Sequence, residues 1–281
     1  MKTRVISGVV IFVLLVLMLM SGGYVLAVCL CAVSLIAVYE LSRAFHLRDI
    51  KNEEGDISTL SRPASMEAAG YLAVLVHYAL LVLTGGDARF IIGTLIGVFF
   101  VDALIYVARF PRYSISQTIF AVFSFLYAPV MLSAFYQMRE TERGHIYVWM
   151  PFLAWVCDTC AYFTGMLFGR HKLCPKLSPK KTIEGAVGGV LGTMAAGAVF
   201  GLLLPVGTDY YNERVIYACV LIGLAVGILS QFGDLLASGL KRDIGIKDFG
   251  TLIPGHGGIM DRFDSVIFVT PVVYFLVVLL L

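Results

Sequence analysis

Charge is scarce in this chain: Asp, Glu, Lys and Arg make up 14% of its 281 residues, against about 25% in an ordinary soluble domain. Hydrophobic residues reach 59%, well above the roughly 45–50% of soluble proteins. One buried core cannot absorb that excess, so most of the surface must face lipid. Also missing is any polar stretch long enough to fold as a separate soluble domain. This predicts one integral membrane domain over 1–281, with amino-terminal helices in 1–145 and the motif-bearing helices and cytoplasmic loops in 146–281. A net charge of only +2, with no basic stripe interleaved with aromatics, argues against a nucleic-acid partner. No Walker A loop, dinucleotide fingerprint, HExxH or GxSxG occurs, so any nucleotide chemistry must use another scaffold. The six cysteines fall almost wholly within apolar runs; Cys157 and Cys160 form a CxxC with no second pair, which reads as buried thiols rather than a zinc or redox site.

What is there is a succession of apolar runs. A window of about 19 residues picks out nine candidate spans, roughly 5–20, 23–45, 67–84, 90–108, 117–137, 147–168, 183–204, 214–238 and 264–281. The first is too long for a signal peptide's apolar region and leads straight into another apolar segment, so it reads as a span. The expected fold is an all-α, polytopic membrane helical bundle of about nine transmembrane helices. With the amino end in the cytoplasm, seventeen of the 21 Lys and Arg residues fall on that side, as positively charged loops require. The same face carries the two chemistry-rich loops, 169–182 and 239–263.

Three clusters of residues are candidates for chemistry. Gln231, Asp234, Ser238 and Lys241 recur at i, i+3, i+4 spacing, so they share one helical face, with Arg242 beside them. An ionisable residue at membrane depth is costly and normally faces a cavity or a partner; the bland alternative is a pairing of Asp234 with Lys241 or Arg242 that merely ties helices together. Downstream lie Lys247 and Asp248, then Gly255, His256, Gly257, Gly258, Asp261, Arg262 and Asp264. The glycines let main-chain N–H groups approach a phosphate. Magnesium takes one or two carboxylates and completes its shell with water and phosphates, which suits Asp234 with Asp261. The competing readings are a loop role for His256 and a helix cap for Asp264. The third cluster joins Asp158, Tyr162 and Gly165, on one face of a membrane helix, to Arg170, Lys176, Ser178, Lys180, Lys181, Thr182 and Glu184. Thr182 is a natural helix cap, and lysines beside a helix amino end suit a polyphosphate; alternatively these cations serve only topology. Gly185, Gly188, Gly189 and Gly192 give overlapping GxxxG spacings, the mark of close helix packing. Glu40 and Asp102, lone acids in apolar context, read as structural.

The stretch from Ser238 to Asp264, S-x-L-K-R-x(4)-K-D-x-G-x(2)-I-P-x-H-G-G-I-x-D-R-F-D, resembles the signature of the phosphatidate cytidylyltransferases. The resemblance extends to D-x-x-A-Y-x-x-G at Asp158–Gly165, to S-P-K-K-T-x-E-G at Ser178–Gly185 and to the nine-span layout, whereas the first 150 residues match only in general character. It implies CTP and phosphatidic acid as partners within membrane lipid, CDP-diacylglycerol and pyrophosphate as products, and magnesium, which in this family pairs with potassium, as cofactor. It also suggests a homodimer, and the inner membrane of a bacterium with the site on the cytoplasmic side. It puts the metal on Asp234 and Asp261. Lys241 and His256 join these two as catalytic candidates. Substrate binding falls to Asp158, Tyr162, Lys176, Ser178, Lys180, Lys181, Thr182, Glu184, Ser238, Arg242, Lys247, Asp248, Gly257, Gly258, Arg262 and Asp264. The alternatives are a CTP-dependent lipid kinase of the polyprenol or phytol type and, from a different class, a secondary transporter.

Overall fold

A computed structural model describes residues 2–51, 56–204, 213–253 and 257–281. Its helices follow the expected spans. Among the described residues, eight helical segments are long and apolar enough to cross a membrane, and the amino-terminal helix adds a shorter apolar stretch, Gly8–Ser21. The protein is a polytopic helical bundle. Its residues fall into two compact units, Met1–Glu140 with Ile246–Arg262, and Thr141–Gly245 with Phe263–Leu281. The segment 246–262 of the signature groups with the amino-terminal helices.

In the first unit, α1 (Lys2–Ser21) and α2 (Gly23–Ala44) are separated by Gly22. Gly22 adopts φ +61°, and a Cβ there would sit 2.8 Å from a guanidinium nitrogen of Arg139, so both conformation and space call for glycine. The buried positions Leu26, Leu30, Ala37 and Leu41 put one face of α2 into the core. Helices α3 (Ser65–Leu83) and α4 (Ala88–Ala108) flank the Gly85-Gly86-Asp87 break, where both glycines have positive φ and Asp87 caps α4 by accepting from Arg89 N at 2.9 Å. The fifth span is not a straight helix. It runs as α5 (Ile115–Phe125), a π-helical turn over Leu126–Val130 that holds Pro129, and α6 (Met131–Arg139). Proline lacks the N–H the ladder needs, and the wider turn accommodates it.

Loops between the spans contain short antiparallel hairpins. In the first unit β1 (Asp49–Lys51) pairs with β2 (Ile57–Thr59). This hairpin is pinned by buried Gln117, whose Nε2 donates to the carbonyls of His46 at 2.9 Å and Asp49 at 2.7 Å. Arg48 next to it donates to both oxygens of buried Glu67, at 2.6 and 2.7 Å; that hydrogen bond holds the guanidinium pKa above its ordinary value. In the second unit β3 (Lys172–Cys174) pairs with β4 (Ser178–Thr182). These short ribbons leave the all-helical membrane architecture unchanged.

The second unit comprises α7 (Gly144–Tyr147), a 3-10 turn over Met150–Phe152, α8 (Leu153–Phe168), α9 (Ile183–Leu203), α10 (Glu213–Ile244) and most of α11 (Met260–Leu280). Helix α9 is the centrepiece, with glycine on two faces. A Cβ on Gly188, Gly189 or Gly192 would run into Thr164, Cys157 or Cys160 of α8. A Cβ on Gly201 would lie 3.1 Å from Ile216 Cα of α10, and one on Gly227 of α10 would lie 2.9 Å from Val190 Cα of α9. Without a hydrophobic driving force between helices in lipid, such close backbone approach supplies the van der Waals attraction. The GxxxG spacings foretold the α8 seam; the α10 seam uses glycines spread over two helices, which one periodic reading does not connect. At 32 residues and 1.5 Å per residue, α10 is about 48 Å long, more than the ~30 Å hydrocarbon thickness. It therefore carries Gln231 through Arg242 as one unbroken helix.

Candidate active site

The seams bring three helix segments together around a cavity of about 400 Å³ within the second unit. Helix α8 contributes Asp158, Ala161, Tyr162 and Gly165; β4 and the start of α9 contribute Lys180, Lys181, Thr182 and Gly185; α10 contributes Gln231 and Asp234. Two separate sequence clusters thus share one site. Lys181 and Asp234 form an ion pair. Asp158, Asp234 and Asp264 lie within one another's electrostatic reach, and Lys181 and Lys241 act in the same field. The carboxylates suit a cation and the lysines an anion.

Local structure fixes these positions. Thr182 is the N-cap of α9, its hydroxyl accepting from Gly185 N at 3.1 Å. The same hydroxyl would lie 2.9 Å from a Cβ on Gly165 or Gly185, so capping and helix approach converge on one side chain. Gln231 donates from Nε2 to Ala186 O of α9 at 3.1 Å and to Gly227 O at 2.8 Å, tying α10 to α9 at the cavity wall. Glu184 accepts from the main-chain N–H groups of Arg170 at 3.1 Å and His171 at 3.2 Å and bonds His171 Nδ1 at 2.6 Å, which ties it to the turn before β3. Lys176 is exposed on the β3–β4 connection, and Ser178 pairs with Cys174. Asp264 is 7% exposed and accepts from Ser265 N at 2.7 Å. Ser238, Lys241 and Arg242 follow Asp234 on α10. A second groove, of about 560 Å³, shares Leu173, Ala186 and Gln231 with the cavity and continues along Val187, Val190, Leu191, Ile228, Phe232 and Leu235. Its lining is almost wholly apolar.

The remaining signature residues belong to the first unit. Asp261 Oδ2 accepts from Phe249 N at 2.8 Å and from Gly258 N at 3.0 Å. Gly257 has φ +85°, and a Cβ there would lie 3.0 Å from Asp261 Oδ2 and 3.4 Å from Asp248 Oδ1. Around this turn Gly258 N donates to Asp261, and Ile259 N and Met260 N donate to Glu40 at 3.0 Å each. Lys247, Asp248 and Arg262 are exposed. His256, with Pro254 and Gly255, lies outside the described residues.

The sequence profile of the cytidylyltransferase family matches residues 2–280. The chain belongs to the cytidylyltransferase family. Among curated relatives, the phosphatidate cytidylyltransferase of Staphylococcus aureus strain COL is 31% identical over 281 residues, covering 99% of both chains. That of Staphylococcus epidermidis strain RP62A is 32% identical over 281 residues, with the same coverage. That of Staphylococcus saprophyticus is 31% identical over 280 residues, again covering 99% of each.

In this cytidylyltransferase, no three His, Cys, Asp or Glu side chains among the described residues converge as a ready-made metal cage. Magnesium seldom needs one: it keeps several waters and is held by one or two carboxylates with substrate phosphates. Asp234, with Asp158 and Asp264 in its field, fits that donor chemistry. Glu40, read from the sequence as structural, accepts from main-chain amides 219 and 220 positions away, beyond any local pattern.

Proposed function

We propose that this chain transfers the cytidylyl group of CTP to phosphatidic acid, giving CDP-diacylglycerol and pyrophosphate. The observation that carries this reading is the union, in one unit, of a cavity floored by Lys181, Asp234 and Asp158 with an apolar groove that leaves it past Gln231. A site for a lipid phosphate and a soluble nucleotide needs both: cations for the phosphates, and a hydrocarbon path for a chain that stays in the bilayer. The groove along Val190, Ile228 and Leu235 takes an acyl chain of the lipid.

The reaction asks little covalent chemistry of the protein. A lipid phosphate oxygen attacks the α-phosphorus of CTP, the bond from that phosphorus to the bridging oxygen breaks, and the electron pair leaves with pyrophosphate. The obstacle is repulsion between two anions, so alignment and charge neutralisation supply the catalysis. Lys180 and Lys181 meet phosphates, and Lys241, Arg242 and Lys176 add cationic contacts from loops and helix ends. The Lys181–Asp234 pair holds both groups in place before the substrates enter. Magnesium, when bound, would supply charge that offsets the repulsion between the phosphates. Asp234 would hold it; Asp261 as a second ligand, and potassium as a companion ion, rest on the family resemblance. The same resemblance supports a homodimer. The loop cations support an amino end and a site at the cytoplasmic face of a bacterial inner membrane.

Purified protein incubated with phosphatidic acid, magnesium and CTP labelled at the α-phosphate should put label into lipid. Label entering lipid only from the γ-phosphate would make the protein a lipid kinase, and substrate flux in proteoliposomes without CTP would make it a transporter.

A further inference from the structure

Glu40 is the acid the mechanism does not use. It sits in α2 with 3% exposure, and both its oxygens are committed: Oε1 accepts from Ile259 N and Oε2 from Met260 N, each at 3.0 Å. These are the N–H groups at the very start of α11, which have no partner within that helix. A carboxylate there also meets the positive end of the helix dipole. The packing is as tight as the hydrogen bonding. A Cβ on Gly258 would lie 2.5 Å from either carboxylate oxygen, and one on Gly250 would lie 2.7 Å from Glu40 Cδ. Two glycines of the signature are thus closed to larger residues by the same side chain. The neighbouring amides of Gly258 and Phe249 go to Asp261, so Glu40 and Asp261 between them take up four main-chain donors of one short segment.

We infer that Glu40 is a positioning residue: through the Ile259 and Met260 amides it sets the course of the turn from Gly257 to Asp261, and thereby the place of the Asp261 carboxylate. The chemistry selects this residue. Only a carboxylate offers an acceptor to each of two consecutive amides; glutamine would turn an NH2 toward one of them, and aspartate falls one methylene short. The inference rests on the reading of Asp261 as a metal ligand, and the test separates the two.

Full-length Glu40→Gln, Glu40→Asp and Asp261→Asn proteins are compared with the parent for kcat, KM for CTP, magnesium dependence, melting temperature and hydrogen exchange of the 249–261 amides. In Glu40→Gln, exchange at Ile259 and Met260 should rise at least tenfold. The kcat should fall at least tenfold at saturating CTP, and half-maximal activity should need several-fold more magnesium, whereas a purely structural loss would lower the folded fraction and leave kcat per folded molecule unchanged. Glu40→Asp should fall between. Unchanged exchange at these amides, or faster exchange with unchanged kcat and magnesium dependence, overturns the inference. Should Glu40→Gln not fold, Gly258→Ala approaches the same contact from the other side, and parental kcat and exchange there overturn it equally. Full activity in Asp261→Asn would instead remove Asp261 from the metal site, whatever Glu40 does.

Discussion

Gly189→Ala is a one-methyl change with a calculable consequence for the site. The new Cβ would lie 2.8 Å from Cys157 Sγ, 3.0 Å from Cys157 O and 3.1 Å from Ala161 Cβ, where ordinary contact begins at 3.4 Å. Helices α8 and α9 must therefore part by about 0.4–0.6 Å at this level. The backbone oxygen of Cys157 cannot swing aside as a side chain could. Overpacking of this kind costs about 1–3 kcal/mol, which for a chain of this size is a fall in melting temperature of roughly 2–10 °C. The displaced stretch, Cys157 to Ala161, carries Asp158, which faces Asp234 across the cavity. Misplacement by about 1 Å can cost 10²-fold in rate, so about half that shift should lower kcat roughly tenfold. The assay is label transfer from α-labelled CTP to phosphatidic acid, with thermal melting of the detergent-purified protein alongside. Gly97→Ala is the control, since nothing lies within 4 Å of a Cβ there. Adding Cys157→Ala to Gly189→Ala removes the Sγ contact and should restore part of both losses. If Gly189→Ala melts and turns over like the Gly97→Ala control, the close seam between α8 and α9 does not position the site.

Asp234→Asn should abolish cytidylyl transfer while the protein remains folded, because it removes both the partner of Lys181 and the proposed metal carboxylate; parental kcat would take Asp234 out of the site. Asp261→Ala should also abolish turnover, and because two amides lose their acceptor it should destabilise by about 1–3 kcal/mol more than Asp261→Asn, read as a difference in melting temperature. Thr182→Ala removes the cap of α9 and should cost about 0.5–2 kcal/mol, with Thr182→Ser restoring it. Val190→Trp should fill the apolar groove and raise KM for long-chain phosphatidic acid several-fold while leaving KM for CTP unchanged; an equal effect on both substrates would move the acyl chain elsewhere.

Much of this protein was readable from local pattern. Apolar runs of membrane length fixed the polytopic helical fold, because a helix in lipid must satisfy its own backbone and needs about 20 apolar residues to cross. The Gly85-Gly86-Asp87 break, the Thr182 cap and the glycine seam toward α8 also followed from short-range rules. So did the polar face of α10, because helical periodicity spaces Gln231, Asp234, Ser238 and Lys241 together. The signature residues pointed to the family because their spacing is too specific to arise otherwise.

Only the tertiary structure decided which of these pieces meet. The pairing of Lys181 with Asp234 and the gathering of Asp158 and Asp234 around one cavity depend on how α8, α9 and α10 pack, and packing in lipid is set by shape rather than by hydrophobic pattern. The acceptors that take the amides of Gly258, Ile259 and Met260 are Asp261 and the distant Glu40. A lone acid in an apolar run signals that some partner must exist, since burying it unpaired is too costly. The sequence of α2 contains that demand, but the amides that answer it, at Ile259 and Met260, come from the other end of the chain and are found only when it is folded.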